Sequence, residues 1–205
     1  MFLINDLNQN TIQEMISSGC WSKDSPLQLD ELSELTISYL DFEDNVRNDG
    51  ILIVAKAIAK EIILIFKQLL DIGFNIDNIT PIHKYHNASD ELSMEANSTT
   101  CFNFRKIVNS NVISIHSYGC AIDINPVQNP YLRFNHDQST ILVEPSLGMK
   151  YINRAINKKG MINSKVIEIF SQFNFEWGGD WHENMIDYHH FQLPRNEIKK
   201  LNIIL

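Results

Sequence analysis

The chain has little that would build a disulfide framework or a thiolate metal site. Its 205 residues include three cysteines, Cys20, Cys101 and Cys120, which are widely spaced, odd in number and form no CxxC pair. Each reads as a small buried hydrophobe. Eight glycines and six prolines are too few for collagen-like or low-complexity sequence. Positive charge is also short: 17 basic residues face 25 acidic ones, a formal net charge of −8. That balance leaves no basic footprint for neutralising phosphates, so no nucleic-acid partner is expected. No apolar run reaches the roughly 18 charge-free residues of a membrane span. The most apolar segment, 51–70, is broken by Lys56, Lys60, Glu61 and Lys67, and no membrane insertion is expected. The first ten residues carry Asp6 and lack a basic stretch ahead of an apolar one, so no secretory signal is read there.

What is present suits a core: 44% of residues are apolar and 20% charged. Residues 1–48 read as a helical extension without visible chemistry, and 49–205 as the domain that carries it. Asp49-Gly50 is expected to open a long helix over 51–72, with Gly73 as its left-handed C-terminal cap. Residues 76–82 alternate like a strand, with Pro81 suggesting an edge position. Residues 84–100 read as an irregular surface loop, and 102–108 and 121–124 as strands. A turn-rich loop with Asn125-Pro126 and Asn129-Pro130 follows. Apolar spacing predicts a helix over 161–173 and an extended stretch over 187–193. The expected architecture is α+β, a small antiparallel sheet flanked by helices.

The histidines carry the chemical signal. In Ser114-Ile-His116-Ser-Tyr118-Gly119-Cys-Ala121-Ile-Asp123-Ile124, a His and an Asp seven positions apart flank a glycine turn that can bring both to one point. An imidazole nitrogen and a carboxylate oxygen both suit zinc, and an ionised Asp123 between two isoleucines needs a partner. A second cluster is Trp177-Gly-Gly-Asp180-Trp181, followed by Asp187-Tyr-His189-His190-Phe191-Gln192. Strand alternation sends His189 and His190 to opposite faces, so one of the two is expected to be a third ligand. Asp187 at the preceding turn can hold a water without being a ligand. Three protein ligands leave a position open for chemistry.

The pattern Ser-x-His-x-x-Gly-x-Ala-x-Asp-Ile at 114–124, followed by Asp-x-x-His-Phe at 187–191, resembles the zinc D-alanyl-D-alanine carboxypeptidase and L-alanyl-D-glutamate endopeptidase family, in its VanY-like, endolysin-like branch. Ser93-Met94, the stretch Asn97 to Arg105, Asn129-Pro-Tyr131, Gly160-Met-Ile162 and Trp177 to Trp181 are similar to that branch, giving a resemblance over about residues 50–193.

The resemblance implies the zinc peptidase fold shared with Hedgehog-type domains. It implies His116, Asp123 and His190 as zinc ligands, Asp187 as catalytic acid/base and Arg105 as a group that binds and polarises substrate. Ser114, Trp181 and Tyr118 are expected along the substrate path. The implied reaction is hydrolysis of a peptidoglycan stem-peptide bond, in peptidoglycan or a muropeptide. The alternative is a non-catalytic zinc-containing binding module of the same fold. Asp187 stands where many relatives have Glu, and Gln192 where Glu often follows His-Phe. With no signal read, the expectation is a product that is cytoplasmic as synthesised and reaches a wall by a non-classical route or by phage lysis. Residues 1–48 match no known segment and are expected to serve a delivery or inhibitor partner.

Overall fold

In a computed structural model of the chain, residues 1–107, 110–135, 141–181 and 184–203 are described. The first half is organised around an antiparallel sheet in the order β1-β2-β3, formed by β1 (Phe2–Asp6), β2 (Leu32–Leu40) and β3 (Val46–Ala55). Between β1 and β2 lies helix α1 (Gln9–Ser18), whose first turn is capped by the Asn8 side chain accepting from Thr11 N. The turn joining β2 to β3 is built on Asp41, whose carboxylate accepts from the backbone of Glu43 and Asn45.

This corrects two expectations. Residues 1–48 are not mainly helical, and the 48/49 division falls inside β3. Residues 51–55 are strand, and the helix, α2 (Ala59–Asp71), begins only after a 3-10 turn over Lys56–Ile58. The physical reason is that Leu52, Ile53, Val54 and Ala55 are all buried. A strand covered on both faces is apolar throughout and shows the same unbroken run as a buried helix. Gly50 is no turn residue. It lies in β3 where a Cβ would come within 2.8 Å of the Ile37 oxygen, beside a bulge between Ile37 and Tyr39. Helix α2 buries Ile62, Ile65, Phe66 and Leu69, the one-face spacing of a packed helix, and Gly73 follows it at φ +70° as expected.

Next come a short parallel pair, β4 (Asn78–Ile79) with β5 (Ser98–Thr99), and between them helix α3 (Asp90–Glu95). Residues 84–100 are therefore not simply surface loop: Ser93, Asn97, Ser98 and Thr99 are buried. Among residues 102–107 there is no regular strand, only an isolated bridge between Lys106 and Ile113; Val108 lies outside the described residues.

The second half holds two further antiparallel sheets. One runs β6-β11-β9, with β6 (Ala121–Asp123), β9 (Glu176–Trp177) and β11 (His190–Gln192). The other runs β10-β7-β8, with β7 (Tyr131–Phe134), β8 (Ile141–Glu144) and β10 (Met185–Asp187). Helix α4 (Ser164–Ser171), capped by Asn163, fills the centre of the expected 161–173 helix, and α5 (Arg195–Lys200) follows β11. The α+β class with small antiparallel sheets is observed. One apolar cluster joins the halves: Met15, Leu32, Leu35 and Ile37 belong with Ile122, Phe170 and Phe191. All three cysteines are free and buried. Among the described residues no helix is long and apolar enough to cross a membrane.

Candidate metal centre

Three pieces of backbone meet at one point. The first is the 3-10 turn Ile115–Tyr118, which begins at Ser114, whose Oγ accepts from His116 N at 3.3 Å, and ends at Gly119 with φ +57°. Gly119 is required twice over. Besides its left-handed backbone, a Cβ there would lie 2.4 Å from Ala55 N, which donates to the Gly119 oxygen at 3.0 Å. The end of β3 thus supports the loop bearing His116. The second and third pieces are β6 and β11, whose antiparallel register sets Asp123 directly opposite His190. Directly paired residues present their side chains on the same face.

The side chains converge. His116 Nε2 is 3.2 Å from Asp123 Oδ2 and 3.2 Å from His190 Nδ1, and His190 Nδ1 is 2.9 Å from Asp123 Oδ1. Both imidazoles are oriented by their outer nitrogens. His116 Nδ1 donates to the Cys101 carbonyl at 2.6 Å, and His190 Nε2 donates to Gln192 Oε1 at 3.0 Å. With those protons placed, the inner nitrogens present lone pairs towards each other and towards a carboxylate. Three acceptors facing inward over 2.9–3.2 Å repel unless a cation lies among them. Ligand atoms on one tetrahedral zinc at about 2.0–2.1 Å would stand a little over 3 Å apart, so this donor set fits the ion. Among the described residues, His116, Asp123 and His190 form the one group of this kind. Cys101 and Gln192 supply the outer hydrogen bonds that fix a ligating histidine's tautomer and tilt.

Electrostatics follow the same convergence. Burial pushes the Asp123 carboxyl up, but the imidazoles of His116, His189 and His190 packed around it outweigh that and hold it well below the usual carboxylate range. Burial opposes charge on His190, yet Asp123 raises its pKa, so a proton and a metal compete for the same place.

The expected separation of His189 from His190 is corrected. Alternation applies only within a strand, and β10 ends at Asp187 while β11 begins at His190, with a turn between them. His189 therefore swings back towards the site. Its Nε2 is 3.0 Å from Asp187 Oδ1 and 3.9 Å from Asp123 Oδ1. Burial works against charge there, but the Asp187 and Asp123 carboxylates raise the His189 pKa to about 9. No residue-spacing signal pointed to this contact.

Asp187 stands beside the cluster, 14% exposed at its side chain. The Trp177-Gly-Gly-Asp-Trp181 segment packs against its backbone: a Cβ on Gly178 would lie 2.6 Å from the main-chain oxygen of Asp187 and 3.2 Å from His190 Cβ. Trp177 Nε1 donates to the Tyr188 oxygen at 2.9 Å, and the Trp181 ring lies 5.3 Å from that of His190. Trp181 thus borders the site. Ser114 is buried and spent on the backbone of His116. Tyr118 is 3% exposed within the hydrophobic core, which corrects its expected place on a substrate path. Arg105 is ion-paired through Nε with Asp90, and Asn103 holds the other oxygen of that carboxylate at 2.9 Å.

Residues 108–193 match the family model of D-alanyl-D-alanine carboxypeptidases. That segment, less than half of the chain, is similar to this family. It contains His116, Asp123, Asp187 and His190, and the resemblance read from the two motifs is shown across it. Arg105 and the other similarities expected over residues 50–107 lie outside the matched segment. No match was found among curated proteins or among solved structures.

Proposed function

We propose that the protein is a zinc-dependent peptidase that hydrolyses a peptide bond in the stem peptide of peptidoglycan, either the terminal D-Ala–D-Ala bond or the L-Ala–D-Glu bond. The observation that carries this reading is the inward convergence of His116 Nε2, Asp123 and His190 Nδ1 beside a fourth group, the Asp187 carboxylate. Its setting in a segment similar to the carboxypeptidase family adds the substrate class.

His116, Asp123 and His190 would hold the zinc, which when bound would supply Lewis acidity and lower the pKa of water beside it. Asp187 accepts the proton of the attacking water and returns it to the departing amine, a role worth about 10²–10⁴-fold. Gly178 packs on the backbone and Cβ of Asp187, and Trp181 on His190, which fixes the strand end that carries the carboxylate. Arg105, oriented by Asp90, donates to the substrate carbonyl as charge develops there, and a lost donor of this kind costs ~2.7–4 kcal/mol. A non-catalytic binding module has no use for a proton-transfer carboxylate beside its metal.

The test is digestion of purified muropeptides with zinc-loaded protein, read by mass spectrometry. Loss of one terminal alanine assigns the carboxypeptidase reaction, and a new amino terminus at D-Glu assigns the endopeptidase. Binding of muropeptides without cleavage at either bond overturns the proposal in favour of the binding module.

A further inference from the structure

His189 is a buried, nitrogen-bearing group in the site that neither the ligand set nor the proton transfer uses. Its Nδ1 is 2.9 Å from the main-chain oxygen of Asn129, which leaves only Nε2 to meet Asp187 Oδ1 at 3.0 Å. The anchor is rigid. Asn129 is fully buried, and its side-chain amide donates to the oxygens of Ile124, Asn125 and Gly160 at 3.1, 3.2 and 3.0 Å. Its Oδ1 accepts from Ile162 N at 2.7 Å and from Arg154 at 3.1 Å. The carbonyl of His189 itself accepts from Ile124 N at 3.0 Å, which ties the turn to the end of β6. The residue is therefore held through its main-chain oxygen and through ring Nδ1, and its remaining ring nitrogen faces a carboxylate. Asp187 Oδ1 is buried and makes no aligned hydrogen bond with any described group, so the 3.0 Å approach of His189 Nε2 is its one close polar contact, a charge contact. His189 also stands outside the three-residue metal group.

We propose that His189 is a positioning residue. It holds Asp187 by Oδ1 at one orientation beside the His116–Asp123–His190 group and leaves Oδ2 to exchange the proton. This rests on the reading of Asp187 as the acid/base of a stem-peptide hydrolase.

The test uses the full-length chain and the variants His189→Ala, His189→Gln, Asp187→Ala and the His189→Ala/Asp187→Ala pair. The contact itself is read without turnover, from the histidine ring-nitrogen NMR spectrum, with the His189 signal assigned by its loss in His189→Gln. Asp187→Ala is expected to move that signal, and an unmoved signal overturns the proposal. On muropeptides, His189→Ala is expected to keep one equivalent of zinc and lower kcat about 10- to 100-fold, part of what an aligned acid/base group contributes, with KM nearly unchanged. His189→Gln, which keeps an N–H, is expected to recover part of that loss. Against an Asp187→Ala background, His189→Ala should cost nothing further. Loss of zinc from His189→Ala, unchanged kcat, or an equal loss in both backgrounds overturns the proposal. A wild-type chain that cleaves neither bond overturns the functional reading and this proposal with it. An active wild type with an unaffected His189→Ala overturns the positioning role alone.

Discussion

Asp123 and His190 are register partners across β6 and β11, with Oδ1 and Nδ1 2.9 Å apart. Neither atom has a proton to give the other once His190 Nε2–H is committed to Gln192. The pair is therefore assembled for a cation, and His190→Ala or His116→Ala should reduce bound zinc from one equivalent to none by metal analysis. Chelation of the wild type should lower its thermal midpoint, since an ion at 100 times its dissociation constant adds about 2.7 kcal/mol to the native state. An unchanged midpoint would count against a preformed site.

Asp187→Asn keeps the shape of the side chain and removes its capacity to accept a proton. Zinc content is expected to stay at the wild-type level while kcat falls by about 10²–10⁴. Wild-type turnover in this variant would remove Asp187 from the proton transfer.

Gly178 has no room for a methyl group, because a Cβ would press on the backbone and Cβ of Asp187 and on His190. Gly178→Ala should cost about 1–3 kcal/mol by overpacking. It should also weaken both zinc affinity and turnover. Denaturant titration and metal competition read the two effects separately, and a neutral outcome in both would show that the segment around Gly178 yields freely.

Deletion of residues 1–48 should abolish folding. It removes β1, β2 and the buried side chains of Met15, Cys20, Leu27, Leu32, Leu35, Ile37 and Tyr39. At about 1.5–3 kcal/mol each, their burial is as large as the roughly 5–15 kcal/mol of net stability of a typical domain. A truncated chain that folds cooperatively and binds zinc would make the segment a separable appendage, leaving the delivery or inhibitor role as its explanation.

Far from the metal, His83 is 7% exposed near Glu14 and Lys84, and burial lowers its pKa from 6.5 to about 4, with Lys84 adding to the shift and Glu14 opposing it. Between those values the unfolded chain binds a proton that the folded chain refuses, so stability falls as pH drops from 6.5 towards 4. The full effect is about 3 kcal/mol at 1.36 kcal/mol per unit. Denaturation of wild type and His83→Gln across pH 4–7 should show the steeper acid loss in the wild type; parallel curves would refute it.

Much of the site was legible because its parts are local. The Ser114–Ile124 motif carries its own turn glycine, and 121–123 and 190–192 alternate clearly enough to be read as extended. The N-terminal half was not legible in the same way. Residues 51–55 look helical because burial on both faces erases the period-two signal, and the bulge at Gly50 has no composition of its own. Tyr118 sits between two site residues in sequence, yet the 3-10 turn aims it into the core. Arg105 has its ion-pair partner 15 residues upstream, on a helix that the polar composition of 84–100 concealed.

The order of residues alone determined which donor atoms this protein has for a metal and which motifs carry them, since imidazole and carboxylate chemistry is a property of side chains. Tertiary structure decided which lone pairs face one another, because that depends on the β6–β11 register and on main-chain acceptors at Cys101 and Asn129, distant along the chain. It also decided that His189 turns towards Asp187: a two-residue turn interrupts the strand, and side-chain direction past a turn follows the backbone path rather than any repeat in the sequence.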